Sequence, residues 1–570
     1  MNYNHIVRLG SVCVLSAILL VGCNDSSSGG SVSSPTAGGD SSGDSSGSGE
    51  NTPDTTGPSV VQTTPAADET GVSRTIALTA EFDEDVLGTS VSNSTVLLEE
   101  VAGSAVAGTV TFDGAANIAT LEPDARLTLL TEYEASVTTE VADLLGNPMA
   151  SAHTWRFTTE DGAWGEAQLL EMSDIGRAAD PQIATSADGT AMAVWRQHDG
   201  TYYSIYASRY VAGSGWQAVE LLETSNLANV FGAQVAVDGA GNALAVWQQS
   251  DGSTTSIYAN RYTADSGWQG AELIETGSTT AEHPQIAFGA DGSAMAVWRQ
   301  DDGSRRVIHA NRYVAGSGWQ GDEPIETNGN HASVPQVAVD IDGNALAVWA
   351  QWDGSRNNIY ANRYVAGNGW QVSQLIETGN GAANDPQIAF DNDGNALAVW
   401  VQNDGTYDNV HFNRYVAGTG WQTDEPIEAG NAGNASFPQI AIDDAGNALA
   451  VWHKRDGVQS DIVASLYVAG GWQGAEPIET GNGGAISPQV AFDSKGNALA
   501  VWQQNAGVTD HIYANRYVAG AGWQVAELIE TDDAGAASSP QIAIGMDGSA
   551  LAVWHQHDGA RTNIYVNQLK

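Results

Sequence analysis

Pro488-Gln489-Val490-Ala491-Phe492-Asp493, a short turn, and Gly496-Asn497-Ala498-Leu499-Ala500-Val501-Trp502 open the clearest copy of a unit that fills most of this chain. After a polar loop the unit continues Ile512-Tyr513-Ala514-Asn515-Arg516-Tyr517, Val518-Ala519-Gly520-Ala521 and Gly522-Trp523-Gln524-Val525-Ala526-Glu527-Leu528-Ile529-Glu530. The Trp of the Ala-Val-Trp run recurs at Trp195, Trp247, Trp298, Trp349, Trp400, Trp452, Trp502 and Trp554, at intervals of 52, 51, 51, 51, 52, 50 and 52 residues. A repeat of this length made only of strand-like pieces predicts an array of β-sheets, with a β-propeller as its closed form.

Each unit offers four strands. The first begins at Gln-Ile/Val-Ala, the second ends at the Trp, the third is Ile-Tyr-Ala-Asn-Arg-Tyr, and the fourth runs from Gly-Trp-Gln to Ile-Glu. The second is apolar at every position, so both of its faces must be covered, as they are when one blade lies between two others. A Gly stands in one hairpin of every copy, from Gly189 to Gly548, and predicts a positive φ there. The array is also split at its ends. A lone fourth strand, Trp164 to Glu171, precedes the first unit, and the last unit stops at its third strand, Ile564 to Leu569. Closing the ring with that early strand removes two raw sheet edges. The expectation is an all-β chain, with an eight-bladed β-propeller over 163–570.

The blade layout resembles the sialidase-like, Asp-box propellers, in which a Pro-led strand, a strand ending in Trp, a third strand, a turn and a second Trp follow in this order. The second Trp is present, from Trp216 to Trp523, but Tyr517-Val518-Ala519-Gly520-Ala521-Gly522 replaces the Asp box. The resemblance therefore implies the layout and not the activity.

Residues 58–160 carry short alternating strands and resemble the bacterial Ig-like domain of the S-layer (SbsA) type. The matching pieces are Pro65 with Gly71-Val72, Phe82 followed by Asp83-Glu84-Asp85-Val86, Pro123 with Leu127, Tyr133, Asp143 with Gly146-Asn147, and Trp155-Arg156-Phe157-Thr158-Thr159. The resemblance implies a β-sandwich that serves as a spacer or adhesion module.

Ahead of it, Arg8, an apolar run from Val12 to Val21 and the ending Leu20-Val21-Gly22-Cys23 resemble a bacterial lipoprotein signal over 1–23, with Cys23 as the lipidated residue. The other cysteine, Cys13, would leave with the signal, so the mature chain has no pair for a disulfide. Residues 24–57 are Ser, Gly, Asp, Thr and Pro, a composition that cannot bury a core. As a flexible linker they would reach on the order of 30 Å. The expected location is the cell envelope, lipid-anchored in the outer membrane and surface-exposed. A net charge of −47 argues against nucleic acid as a partner.

Of 18 Trp, sixteen occupy the two repeated positions, where packing is the ordinary role. Trp352, beside Asp353-Gly354, is outside the pattern and is a candidate contact. Asp-Gly follows the second strand in seven copies, giving Asp199, Asp251, Asp302, Asp353, Asp404, Asp456 and Asp558 as candidate ligand-binding residues on one face, near the Glu that ends each fourth strand. The competing reading is turn chemistry. The arginines mostly repeat (Arg209, Arg261, Arg312, Arg363, Arg414, Arg516) and the histidines lack ligand spacing, which argues against a sialidase-type active site and against a metal centre. Asp340-Ile341-Asp342-Gly343 and Asp391-Asn392-Asp393-Gly394 resemble fragments of calcium loops, so calcium is the only cofactor with any sequence support. Two functions fit: a tethered binding or adhesion module for glycan or protein, and a sialidase-like glycoside hydrolase or its degenerate relative.

Overall fold

The computed structural model describes residues 54–570 except 102, 172–175, 224–227, 251, 328, 429–432, 456, 458, 482 and 532–534. Cys23, the leader and most of the linker, together with Asp251 and Asp456, lie outside the described residues. Among the described residues the only helical turn is a short 3-10 turn at Gly88–Ser90, and no helix is long and apolar enough to cross a membrane.

The first module is a two-sheet sandwich. Strands β1 (Val60–Thr64), β3 (Leu78–Phe82), β6 (Ile118–Pro123) and β5 (Gly108–Asp113) form one sheet in the order β1-β3-β6-β5. Strands β2 (Glu69–Val72), β8 (His153–Thr159), β7 (Glu132–Val137) and β4 (Val96–Glu100) form the other in the order β2-β8-β7-β4. Alternate residues of each strand meet in a core that includes Leu78, Phe82, Leu98, Tyr133, Trp155 and Phe157. Tyr133 stacks on Phe157 at 5.7 Å, and its hydroxyl accepts the Thr128 N–H at 2.9 Å.

Eight antiparallel sheets follow, one per repeat, each ordered first to fourth strand outward from the axis. The first strands of successive sheets pack on one another, and the eighth returns to the first, where Thr185 Oγ1 donates to the Ile544 carbonyl. The eighth sheet is completed by β9 (Gln168–Leu169), which pairs with Thr562–Leu569 in the register Val566↔Gln168 and Tyr565↔Leu169. A bridge between Trp164 and Leu569 and a bond from Leu170 N–H to the Ile564 carbonyl extend the seam. The chain is thus all-β, an Ig-like sandwich followed by a propeller-like ring closed by an N-terminal strand.

The second-strand Trp residues are fully buried between blades, among the Ala and Val of the neighbouring sheet. In blades one to seven the fourth-strand Trp meets the third-strand Tyr edge-on at 5.3–5.7 Å. The repeated arginines join blades: Arg209, Arg261, Arg312 and Arg363 each lie 5.4–5.5 Å over the Tyr ring of the next blade, a cation–π contact. The hairpin glycines Gly189 to Gly548 all have φ of 73–78°, as their repetition predicts.

Two boundaries differ from the sequence reading. The first strand begins at Ala178 rather than Gln182, and the second runs to His198 rather than stopping at Trp195. A bulge between Ala179 and Gln182, built around Asp180-Pro181, breaks the alternation and hides the paired residues before it.

Hairpins between first and second strands lie on one face of the ring, here the lower. Turns between second and third strands, and between fourth and first, lie on the upper face. The sandwich docks on the lower face of blades seven and eight. Buried Arg74 pairs with Asp547, Leu129 N–H donates to the Asp547 carbonyl at 3.1 Å, and Leu129 packs with Leu499, Ala550 and Leu569. Lys495 pairs with Glu100, and Arg516 with Asp161.

Candidate functional site

The upper face carries three concentric sets of polar groups. The outermost is the rim of Asp-Gly turns. Asp302 Oδ1 accepts the Ser304 and Arg305 N–H groups, each at 2.9 Å, and the Ser304 hydroxyl at 2.7 Å. Asp353 repeats this with Ser355 and Arg356. Asp404 accepts from Thr406 and Tyr407, Asp558 from Ala560 and Arg561, and Asp199 from Thr201 and Tyr202. The side chain of Ser304 on Asp302, and of Ser355 on Asp353, leads the bonds that hold both carboxyls well below the usual carboxylate range. Donated backbone N–H groups do the same for Asp558. These aspartates shape their own turns first and offer a ligand only their remaining lone pairs. Trp352 closes its second strand, opposite Asn357, and is 40% exposed at the same rim.

Inside the rim lies a relay that sequence reasoning missed. In seven blades the buried second-strand Trp donates its indole N–H to the Gln two residues on, at 2.9–3.3 Å. That Gln donates to the Glu ending the fourth strand of the preceding blade: Gln351 to Glu326 at 2.9 Å, Gln402 to Glu377 at 2.8 Å, Gln300 to Glu275 at 3.2 Å, and Gln556 to Glu530. Seven of the eight glutamates are buried. Burial pushes Glu171 up to about 8 and Glu479 up to about 7, and raises Glu223 and Glu377. Nearby cations offset part of this cost, with Arg305 Nη1 at 2.9 Å from Glu326 and Lys454 on Glu428, and the His511 imidazole bonds Glu530. In blade six Lys454 takes the place of the Gln, and the indole N–H of Trp452 has no partner among the described residues. The sequence signal was Trp-x-Gln in seven of eight copies, with Glu at a fixed place in all.

The innermost set is the bulge of the first strand, next to the axis. Its extra residue has positive φ in every blade: Asp180, Gly232, His283, Val334, Asp385, Phe437, Ser487 and Ser539, with φ of 46–59°. Seven of these are not Gly, and Val and Phe in this region are conformational outliers. Asp180 is tied to Arg196 at 2.6 Å. Asp385 accepts no hydrogen bond among the described residues, and burial raises its pKa. Beside the ring, Ser436 bonds His453 at 2.9 Å and Ser538 bonds His555 at 2.7 Å, and burial lowers the pKa of both imidazoles.

On the lower face the supposed calcium-loop fragments are closed polar turns. Asp340 Oδ1 accepts the Asp342 and Asn344 N–H groups and Oδ2 accepts Asn344 Nδ2 at 2.8 Å, and Asp391 is held in the same way. The turn's own donors engage both carboxylate oxygens, which keep only their remaining lone pairs for any cation.

No curated protein sequence matches the chain. Among solved structures, it is similar to the Dos1 propeller, with 11% identity, 71% of this chain and 95% of that one covered, and a TM-score of 0.45. It is also similar to an ulvan lyase of a polysaccharide lyase family, with 10% identity, 65% and 94% covered, and a TM-score of 0.41. An α-L-arabinofuranosidase from Fusarium graminearum matches with 11% identity, 50% and 92% covered, and a TM-score of 0.33. The sequence match is local to the sandwich: residues 54–159 are a bacterial Ig-like domain (Big_5).

Proposed function

We propose that this chain is a lipoprotein of the cell envelope, anchored through Cys23, that presents the propeller-like ring as a binding or adhesion module. The observation that carries the reading is the side on which the Ig-like domain docks. It covers the lower face at blades seven and eight, through Arg74–Asp547 and Lys495–Glu100. The upper face, with its repeated Asp-Gly turns and Trp352, is on the opposite side of the ring. Near-equivalent turns around that rim suit several weak contacts, which gain strength together on a dense surface. The Gly-, Ser- and Asp-rich 24–57 segment is a suitable tether, and the ligand is a glycan or a surface protein.

The test is retention of the full-length protein on dense ligand surfaces, beside a panel of fluorogenic glycosides. Replacing Asp302, Asp353, Asp404 and Asp558 by Asn keeps the turn acceptor and removes the charge. This variant should fold and lose retention at least tenfold. Unchanged retention would remove the rim aspartates from the contact, and turnover of any glycoside would replace binding by hydrolysis.

A further inference from the structure

We infer that the bulge ring at the axis holds a neutral saccharide unit on the arc from blade five to blade eight, where Asp385, Phe437, Ser487 and Ser539 follow one another. This deepens the binding reading above and rests on it. The first support is conformational. Every blade places a positive-φ residue here, and Gly, the residue suited to it, is used once, at Gly232. A Cβ at Gly232 would meet no atom closer than 3.6 Å, so the site takes either kind of residue. The chain nonetheless keeps side chains at the other seven positions against the left-handed cost. That cost is explained if the side chains are used.

The second support is chemical. These eight positions carry unlike residues, as recognition of one asymmetric ligand requires, and so do the positions just before them, from Ala179 to Ser538. An exposed side chain on the innermost strand can face only the axial opening or its mouth, and Phe437 is 57% exposed there. Phe437 offers a flat apolar face, Asp385 an unpartnered acceptor, and Ser487 and Ser539 hydroxyls that both donate and accept. Together they match a pyranose, which has an apolar C–H face and a rim of hydroxyls. On the opposite side of the ring Asp180 is already neutralised by Arg196, so Asp385 is the uncompensated charge of the set. With the chain's net charge of −47, this disfavours uronates and sulfated sugars. An ammonium ligand would use the carboxylate and the ring but not the two serine hydroxyls as donors.

The experiment applies the full-length protein to a printed array of neutral hexopyranose oligosaccharides beside uronate- and sulfate-bearing ones. The variants are Phe437→Gly, Asp385→Gly, Val334→Gly and the four-Asn rim variant. Gly relieves the left-handed backbone, so all three Gly variants should melt at or above the wild-type temperature. Phe437→Gly and Asp385→Gly should lose retention on neutral sugars at least tenfold, while Val334→Gly, outside the arc, should keep it. Loss confined to the rim variant overturns the arc and leaves the binding reading standing. Retention of acidic sugars alone, of no sugar at all, or inhibition by an alkylammonium ion and not by a free hexose, overturns the ligand class. A drop in melting temperature of more than about 2 °C in the Gly variants overturns the conformational argument.

Discussion

Glu171 ends the strand that closes the ring, and it is buried to 4% exposure with its pKa near 8. Desolvation drives the rise; the Arg561 guanidinium opposes it and Asp558 adds to it. Taking 1.36 kcal/mol for each pH unit between the ordinary 4.5 and 8, holding the ionised form there costs about 5 kcal/mol. The sign follows from proton counting. Between pH 4.5 and 8 the folded ring keeps a proton that the unfolded chain has released, so stability falls as pH rises through that window. It is highest below 4.5 and levels off above 8. For a ring of this size the loss corresponds to roughly 5 to 10 °C in melting temperature. Glu171→Gln imitates the protonated acid and cannot ionise. Thermal melts of wild type and variant at pH 5 should nearly coincide, and at pH 9 the variant should melt higher by that amount. The repulsion that comes from a net charge of −47 weakens both proteins alike and cancels in the difference. Parallel profiles from pH 5 to 9 would refute the reasoning, because they would mean that Glu171 is ionised and stabilised in the fold.

Lys454→Gln should give the Trp452 indole N–H an acceptor but takes the paired cation from buried Glu428, a larger loss than one hydrogen bond returns, so a denaturant titration should show a net fall in stability of about 1 kcal/mol or more. Arg74→Ala leaves Asp547 without its partner at the docking contact, and limited proteolysis between 159 and 164 should then release the Ig-like domain faster than in wild type. Deleting residues 160–172 should destabilise the whole ring, since it bares the edge of Thr562–Leu569, and a variant that melts like wild type would contradict the seam. Cys23→Ser should move the protein from membrane pellets to the soluble fraction, and continued incorporation of labelled fatty acid would contradict the anchor.

The architecture was readable because period and amphipathic pattern are properties of the chain alone. Trp164 to Glu171 looks like a fourth strand and Ile564 to Leu569 lacks one, so the seam could be drawn before any coordinates. The Ig-like module was readable from the spacing of Pro65, Phe82, Tyr133 and Trp155-Arg156-Phe157. The relay was harder because Gln197 and its equivalents belong to a strand whose Trp already explained the pattern, and their Glu partners lie in the preceding blade. The bulge ring was hidden for another reason. One extra residue breaks the two-residue period, and His283, Val334, Asp385 and Phe437 share a backbone conformation and no chemistry. A position marked by its backbone conformation and not by a shared side chain leaves no repeated residue type in the sequence.

The seam also decides how the ring meets mechanical force. The segment leaving the Ig-like domain enters the ring at Ala163, which exchanges two backbone hydrogen bonds with Lys570, at 2.9 and 3.1 Å, and runs up the sheet edge to Leu170. A pull from the N-terminal side first strains Arg74–Asp547, Lys495–Glu100 and the packed Leu129. Past those contacts, tension runs along the strand, perpendicular to its bonds with Thr562–Leu569. The bonds from Ala163 to Leu170 are then sheared together instead of unzipped one at a time. A ring closed at its C-terminal end by its own first strand therefore resists a pull at the point where the Ig-like domain joins it.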